Sequence, residues 1–191
     1  MGFRSSSLSG GEHYKGRHRF EHWYRDNTVY FITARCRGRF PAFADEGCKQ
    51  IFWVKFDEYA AAHGFVPWIT SLLDNHYHTI GYLKAGENLG PMMRKLHGSV
   101  AKLVNDRLPH RLTPFWYDTG KQGYFDGCLR DETQGDRTYR YVQRQSVRHG
   151  LATDWRAYPH TRVNVDKDRA IARANHLNAW MRNVRYKRYD A

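Results

Sequence analysis

Two short groups of residues in this sequence could do chemistry together. His76 and His78 are separated by one residue, so on a β-strand both imidazoles project from the same face and could bind one metal ion. Tyr141 and Gln145 are four residues apart, which on an α-helix places a phenol and an amide on one face. The phenol could attack a substrate while the amide helps to hold the metal. The two groups together predict a metal site with a nucleophile beside it.

Each group taken singly also fits a purely structural role. The chain has eleven histidines, so a His-x-His pair can arise by chance. Tyr141 could be a half-buried aromatic residue of an amphipathic helix, with Gln145 as a solvated neighbour. Tyr139 is a rival for the nucleophile, but it lies about 200° around the helix from Tyr141 and cannot face the same metal ion.

Hydrophobic spacing and turn residues predict the elements that position these groups. The pattern of β-branched, aromatic and turn residues predicts strands over residues 28–36, 66–73 and 76–83, the last two joined by a turn at Asp74-Asn75. Three-and-four spacing predicts helices over residues 45–63, 89–104 and 136–149, and a C-terminal helix through residues 171–184. The aromatic segments between residues 109 and 131 predict a hairpin or ordered loop around the turn TGKQG.

The order of these elements is that of an α+β, ferredoxin-like (RRM-like) sandwich, an antiparallel sheet with helices on one face. A chain of 191 residues fits one such domain with extensions at its ends. We predict a flexible basic arm over residues 1–20, the domain over residues 21–160, and a basic helical extension over residues 161–191. Since one fold supports many activities, this architecture alone implies no function.

The composition favours nucleic acid as the partner. Lys and Arg total 31 against 19 Asp and Glu, a formal net charge of +12, and aromatic residues make up 15% of the chain. Such a charge attracts phosphates, and aromatic rings can stack on unpaired bases. Three cysteines without a CxxC pair indicate neither a disulfide framework nor a zinc knuckle. With no signal-peptide pattern and no long apolar run, we predict a cytoplasmic protein that does not engage a membrane.

Three segments resemble the single-tyrosine HUH transposases, especially the REP-associated tyrosine transposases of bacteria. They are VYFITARCRGRFPAF, WITSLLDNHYHTIGYL and YFDGCLRDETQGDRTYRYVQRQSVRHGLATDW, in the family's order over roughly residues 20–160. Relatives carry Asn or Glu, then His, an apolar residue and His, and Asn75-His76-Tyr77-His78 fills that pattern. Around the nucleophile, REP-type relatives carry Tyr-Ile-x-x-Asn-Pro-Val-x-x-Gly-Leu. This chain matches from Tyr141 to Leu151 with Gln145-Ser146 in place of Asn-Pro, Gln being the amide of the insertion-sequence relatives.

The resemblance implies a tyrosine-nucleophile enzyme that nicks and joins DNA. It assigns the nucleophile to Tyr141 and the ligands of a divalent metal, Mg²⁺ or Mn²⁺, to His76, His78 and Gln145. Attack on a phosphodiester would leave a 5′-phosphotyrosine and a free 3′-hydroxyl, and reversal would rejoin the strand without ATP. The expected substrate is single-stranded DNA folded into a REP-like hairpin, processed during DNA transposition and recombination. The chain would act as a monomer or homodimer, without a small-molecule cofactor, in the nucleoid of a bacterium.

Arginine is the residue type best suited to hold the DNA backbone beside such a site. The candidates near the predicted site elements are Arg35, Arg37, Arg39, Arg94, Arg140, Arg144 and Arg148.

Two other functions stay open on the sequence alone. The first is a non-catalytic module of ferredoxin-like fold that binds hairpin DNA or RNA through its aromatic strands, and that is indifferent to metal. The second is a metal hydrolase that activates water, in which Tyr141 is dispensable and no protein–DNA adduct forms.

Overall fold

The computed structural model describes residues 25–117, 123–129 and 131–189, with the side chains of residue 178 and residues 180–189 left out. The predicted basic arm over residues 1–20 lies outside the described residues. The main elements, in chain order, are β1 (Thr28–Arg35), α1 (Glu46–His63), β2 (Phe65–Leu72), β3 (His76–Leu83), α2 (Leu89–Asn105), β4 (Phe125–Cys128), α3 (Glu132–Gln143), α4 (Gln145–Arg148), β5 (Thr161–Val163) and α5 (Lys167–Tyr189).

The five strands form one sheet in the order β4-β1-β3-β2-β5, and all neighbouring strands are antiparallel. The first four strands with α1 and α2 have the ferredoxin-like arrangement, which confirms the predicted fold class. The helices are not confined to one face as predicted, because α3 and α5 pack on the other face. β5 lies in the segment predicted as the C-terminal extension, and it adds a strand to the sheet by pairing with β2.

The sheet carries a hydrophobic core on each of its faces. On one face the sheet packs against α1 and α2 around a cluster that includes Phe52, Tyr77 and Met93. On the other face, Ile80 packs with Tyr139 of α3 and neighbouring residues of α5. Because side chains alternate along a strand, Tyr77 belongs to the first face, and His76, His78 and Ile80 to the second. The histidine pair therefore shares a layer with α3 and α5.

The ends of α1 show how local sequence sets an element. The Asp45 carboxylate accepts a hydrogen bond from the backbone N–H of Cys48, which satisfies a free donor of the first turn. Gly64 ends the helix with a φ of 70°, a left-handed conformation that glycine adopts without strain. Both ends of α1 lie where the sequence pattern predicts them.

The helix predicted over residues 136–149 is wrong in its bounds, because the structure has two helices there. α3 begins earlier, at Glu132, where the Asp131 side chain caps the N–H of Gln134. The helix ends at Gln143, and Arg144 has φ −94° and ψ 6°. In a continuous helix the N–H of Gln145 would bond the carbonyl of Tyr141. Here the side-chain amide of Gln145 donates to that carbonyl instead, at 2.9 Å.

The aromatic segments between residues 109 and 131 do not pair with one another within the described residues. β4 pairs with the outer edge of β1, and Trp116 makes an isolated bridge to Cys36, directly after β1. Most of the predicted TGKQG turn lies outside the described residues. None of the described helices has the length and the apolar composition needed to cross a membrane.

Candidate active site

His76 and His78 lie at the beginning of the central strand β3, just after a tightly held turn. The Asp74 carboxylate pairs with the buried Lys49 ammonium at 2.8 Å. The carbonyl oxygens of Asp74 and Asn75 accept hydrogen bonds of 2.8 Å from the backbone N–H groups of Phe43 and Cys36 respectively. The turn is thus tied to α1 and to the end of β1, which fixes the backbone from which both imidazoles project.

The two imidazoles are neighbours, and each is hydrogen-bonded through Nδ1. Their ring centroids are 4.9 Å apart. Nδ1 of His76 lies 2.6 Å from Oδ1 of Asn75, and Nδ1 of His78 lies 2.6 Å from Oγ1 of Thr33. Nε2 of His78 is buried and has no hydrogen-bond partner. A buried nitrogen without a hydrogen-bond partner destabilises a folded protein, so its presence calls for a structural or functional explanation.

The surroundings keep both rings neutral. Burial lowers the pKa of His76 to about 4, the charges of His149 and Arg35 lower it further, and the neighbouring Gln145 side chain opposes them. Burial also lowers the pKa of His78 well below its ordinary value. A neutral imidazole has a free lone pair and can bind a metal without first losing a proton.

The two candidate tyrosines of α3 face in different directions. Tyr141 is 38% exposed, and its ring centroid lies 5.1 Å from that of His78. Tyr139 is 2% exposed, its hydroxyl donates to the carbonyl of Val165 at 2.6 Å, and burial raises its pKa to about 12. Tyr141 therefore reaches the histidine pair from the open side, while Tyr139 is held in the core.

Gln145 completes the group from the first turn of α4. It is only 1% exposed, its Nε2 donates to the Tyr141 carbonyl, and its Oε1 is buried without a partner. The amide orientation is therefore fixed by one bond, and the free oxygen is an acceptor. No three His, Cys, Asp or Glu side chains of the described residues are grouped so that they could hold a metal ion.

His76, His78 and Tyr141 line a cleft of about 530 Å³, and the Gln145 side chain is buried beside His76. The described lining of the cleft carries the positively charged guanidinium groups of Arg35, Arg39 and Arg148. It also carries aromatic rings, those of Tyr117, Phe125, Tyr141 and His149. No carboxylate belongs to that part of the lining. The Arg148 guanidinium lies 5.7 Å from the centroid of the Tyr141 ring, and the Arg35 guanidinium 4.8 Å from that of Tyr117. The cleft suits a polyanion with flat, stackable groups.

Three of the seven arginines predicted to contact DNA line this cleft, and four do not. Arg37 is exposed and donates to the Thr113 carbonyl, and Arg140 pairs with Asp136 at 2.8 Å. Arg144 is exposed at the break between α3 and α4. Arg94 is exposed on α2, in the layer on the opposite face of the sheet. Their contact with DNA stays a prediction.

Sequence reasoning missed several residues of the cleft, among them His149 and Tyr117. The ring centroid of His149 lies 4.8 Å from that of His76, and His149 is exposed at the end of α4. Its position four residues after Gln145 was a usable signal, since such residues share a helix face. Tyr117 reaches the cleft because its N–H donates to the carbonyl of Arg35, and no local pattern announces that contact.

These observations define a class of structure: an α+β sheet of ferredoxin-like order with a basic cleft on one face. A solved structure of a REP-associated tyrosine transposase bound to a REP hairpin has the same fold, with a TM-score of 0.63 at 15% sequence identity, covering 75% of this chain and 81% of that one. The resemblance seen in the sequence therefore extends to the three-dimensional fold.

A candidate transposase from Deinococcus radiodurans R1 aligns with a TM-score of 0.43 at 15% identity, over 72% of this chain and 98% of that one. No protein-family model matches the chain. No curated protein matches it by sequence.

Proposed function

We propose that this chain is a metal-dependent endonuclease and transesterase, which cleaves and rejoins hairpin-forming single-stranded DNA through Tyr141. The observation that carries the proposal is the meeting of three groups at one cleft: Tyr141 and His78 line it, and Gln145 is buried beside His76. The exposed Tyr141 ring lies beside His78, whose buried Nε2 has no partner, and Gln145 adds a buried oxygen that also has none. The fold is shared with a transposase whose structure holds a REP hairpin, which supports DNA of that kind as the substrate.

The residues present fit a divalent metal ion. Two neutral imidazoles and one amide oxygen are proper ligands, and the two unpartnered atoms, His78 Nε2 and Gln145 Oε1, would each gain a partner from a cation bound by these side chains. His76, His78 and Gln145 would hold the ion, and two nitrogen ligands favour Mn²⁺ over Mg²⁺, which prefers oxygen. When bound, the ion would supply positive charge that neutralises a phosphate oxygen during attack.

The reaction follows from the chemistry of a phenol and a phosphodiester. The Tyr141 oxygen attacks phosphorus and loses its proton, and the bond between phosphorus and the 3′-oxygen breaks. The 3′-oxygen takes up a proton, and the 5′-phosphate stays on the tyrosine. One phosphate ester has replaced another, so a 3′-hydroxyl can attack in turn and restore the strand. Arg148, whose guanidinium lies 5.7 Å from the centroid of the Tyr141 ring, would hold the phosphate during both steps.

The test is a search for the covalent intermediate. The protein is incubated with labelled hairpin DNA that carries single-stranded flanks, with Mn²⁺, with Mg²⁺ or with a chelator, and run on a denaturing gel. We expect a labelled protein band that requires metal. A binding module would retain the DNA on a native gel but give no such band under any condition. A hydrolase that activates water would give cut DNA without the band.

Arginines of the cleft are expected to account for part of the salt dependence of DNA binding. Arg148→Ala, made in a Tyr141→Phe background so that no chemistry occurs, should lower the slope of log K against log salt by about 0.7, the value for one lost single-strand phosphate contact. If the cleft alone holds the DNA, Arg94→Ala should leave the slope unchanged, because Arg94 lies in the α2 layer. Fluorescence anisotropy at several salt concentrations measures both. Equal slopes for the two variants would argue against the cleft as the binding surface.

Tyr117 is expected to stack on an unpaired base. It is 44% exposed in the cleft, with the Arg35 guanidinium 4.8 Å from its ring centroid. Since stacking on an aromatic side chain contributes about 1–3 kcal/mol per base, Tyr117→Ala should weaken single-strand binding by roughly 5- to 150-fold. Tyr117→Phe keeps the ring and should bind like the unaltered chain. A loss of affinity in both variants would point to the hydroxyl rather than to stacking.

A further inference from the structure

A strained piece of backbone lies beside the histidine pair. Between β1 and α1, residues 37–39 form a short helical turn in which Gly38 and Arg39 have φ values of 60° and 58°. Glycine adopts such values freely, but Arg39 has a side chain, and few residues other than glycine take this conformation. Strain of this kind persists where the surroundings impose it, and it is common at functional sites.

The strained residue orients an asparagine. The carbonyl oxygen of Arg39 accepts a hydrogen bond from Nδ2 of Asn75 at 3.0 Å. Rotating the amide by half a turn would set Oδ1 of Asn75 against the Arg39 carbonyl, so two acceptors would face each other. The Arg39 carbonyl therefore fixes the orientation of the Asn75 amide, with Nδ2 towards Arg39 and Oδ1 towards His76.

The oriented amide then decides which nitrogen of His76 carries the proton. Oδ1 of Asn75 lies 2.6 Å from Nδ1 of His76. A carbonyl oxygen can only accept, so Nδ1 must carry the hydrogen. In a neutral imidazole the other nitrogen, Nε2, then has the lone pair. Thr33 gives the contrast: its hydroxyl, 2.6 Å from Nδ1 of His78, can donate or accept, and it does not select a tautomer by itself.

We propose that Asn75 is a positioning residue, held by the left-handed backbone at Arg39, which fixes His76 as its Nδ1–H tautomer and leaves Nε2 as the lone-pair donor. The use of that lone pair for a metal rests on the proposed function, but the tautomer does not. Such partners of a ligating histidine set the ring orientation, and their loss typically weakens metal binding about 10- to 100-fold.

The first experiment reads the tautomer directly. Long-range proton–nitrogen NMR spectra of metal-free protein, labelled with ¹⁵N-histidine and recorded above pH 7, are expected to show Nδ1–H for His76. His76→Gln assigns the signal. In Asn75→Leu the signal should move to Nε2–H or to a mixture, whereas Asn75→Asp keeps an acceptor oxygen and should retain Nδ1–H. An Nε2–H signal in the unaltered chain would overturn the proposal without recourse to any variant.

The second experiment measures Mn²⁺ affinity by calorimetry. Asn75→Leu should bind Mn²⁺ about 10- to 100-fold more weakly. The matched control is Asn164→Leu, since Asn164 also donates Nδ2 to a backbone carbonyl, that of Pro67, but lies away from the cleft. An Asn75→Leu variant with unchanged tautomer and affinity would refute the positioning role. A chain that shows the Nδ1–H signal yet forms no adduct with DNA would instead refute the proposed function.

Discussion

Tyr141→Phe is expected to abolish the covalent protein–DNA adduct, and Tyr139→Phe is expected to keep it. Phenylalanine preserves the ring contacts of Tyr141 with His78 and Phe31 but removes the attacking oxygen. Because no other group replaces a lost nucleophile, adduct formation should fall by about 10⁴-fold or more, below detection on a denaturing gel. DNA binding, which needs the cleft and not the hydroxyl, should stay within about twofold.

Tyr139→Phe is a demanding control because it changes the same helix, two residues away. It removes a buried hydroxyl that donates to the Val165 carbonyl, so the free energy of unfolding should fall by about 1 kcal/mol. Thermal unfolding of both variants separates this structural effect from loss of chemistry. An adduct that survives Tyr141→Phe but disappears in Tyr139→Phe would assign the nucleophile to the other tyrosine and contradict the geometry of the cleft.

The first three strands and the two helices of the sandwich could be predicted because local signals agreed with the final packing. β3 begins at His76, as predicted, since the Asp74-Asn75 turn and the alternation after it both point to that residue. Alternation also placed Tyr77 on the opposite face from its two neighbours, and the structure puts Tyr77 in the core with α1 and α2. Where the burial of one face and the turn chemistry agree, register follows from sequence.

The break between α3 and α4 could not be predicted from periodicity. Tyr141 and Gln145 have helical spacing, and a continuous helix is the simplest reading of that spacing. The break arises because the Gln145 side chain takes the Tyr141 carbonyl that its own backbone N–H would have used. That competition depends on burial of the Gln145 amide beside His76. This burial comes from tertiary packing and not from local sequence. The same geometry leaves Oε1 of Gln145 without a partner.

The limits of the cleft also depend on contacts between distant segments. Seven arginines had suitable positions along the chain, yet Arg94 lies in the other layer and Arg140 is paired with Asp136. In contrast, Tyr117 comes to the cleft through a backbone hydrogen bond to Arg35, 82 residues earlier in the chain. Charge and aromatic content therefore indicated the kind of partner, whereas the fold decides which side chains can meet it.

His78→Ala is expected to weaken Mn²⁺ binding by more than about 100-fold and to reduce the adduct accordingly. Loss of a group hydrogen-bonded to a ligand typically costs 10- to 100-fold in affinity, and loss of the ligand itself should cost more. His78 is 3% exposed, with Thr33 at Nδ1 and no partner at Nε2, so water cannot easily take its place. Calorimetry on the variant measures the affinity, and circular dichroism checks that it is folded.

His149→Ala is the matched comparison, because His149 also contacts His76 but lies exposed on the cleft rim. If the ligands are His76, His78 and Gln145, this variant should bind Mn²⁺ within a few-fold of the unaltered chain. A loss as large as that of His78→Ala would place His149 among the ligands. Unchanged affinity in both variants would mean that Mn²⁺ binds elsewhere on the protein, and that the two unpartnered atoms, Nε2 of His78 and Oε1 of Gln145, are not there to hold a metal.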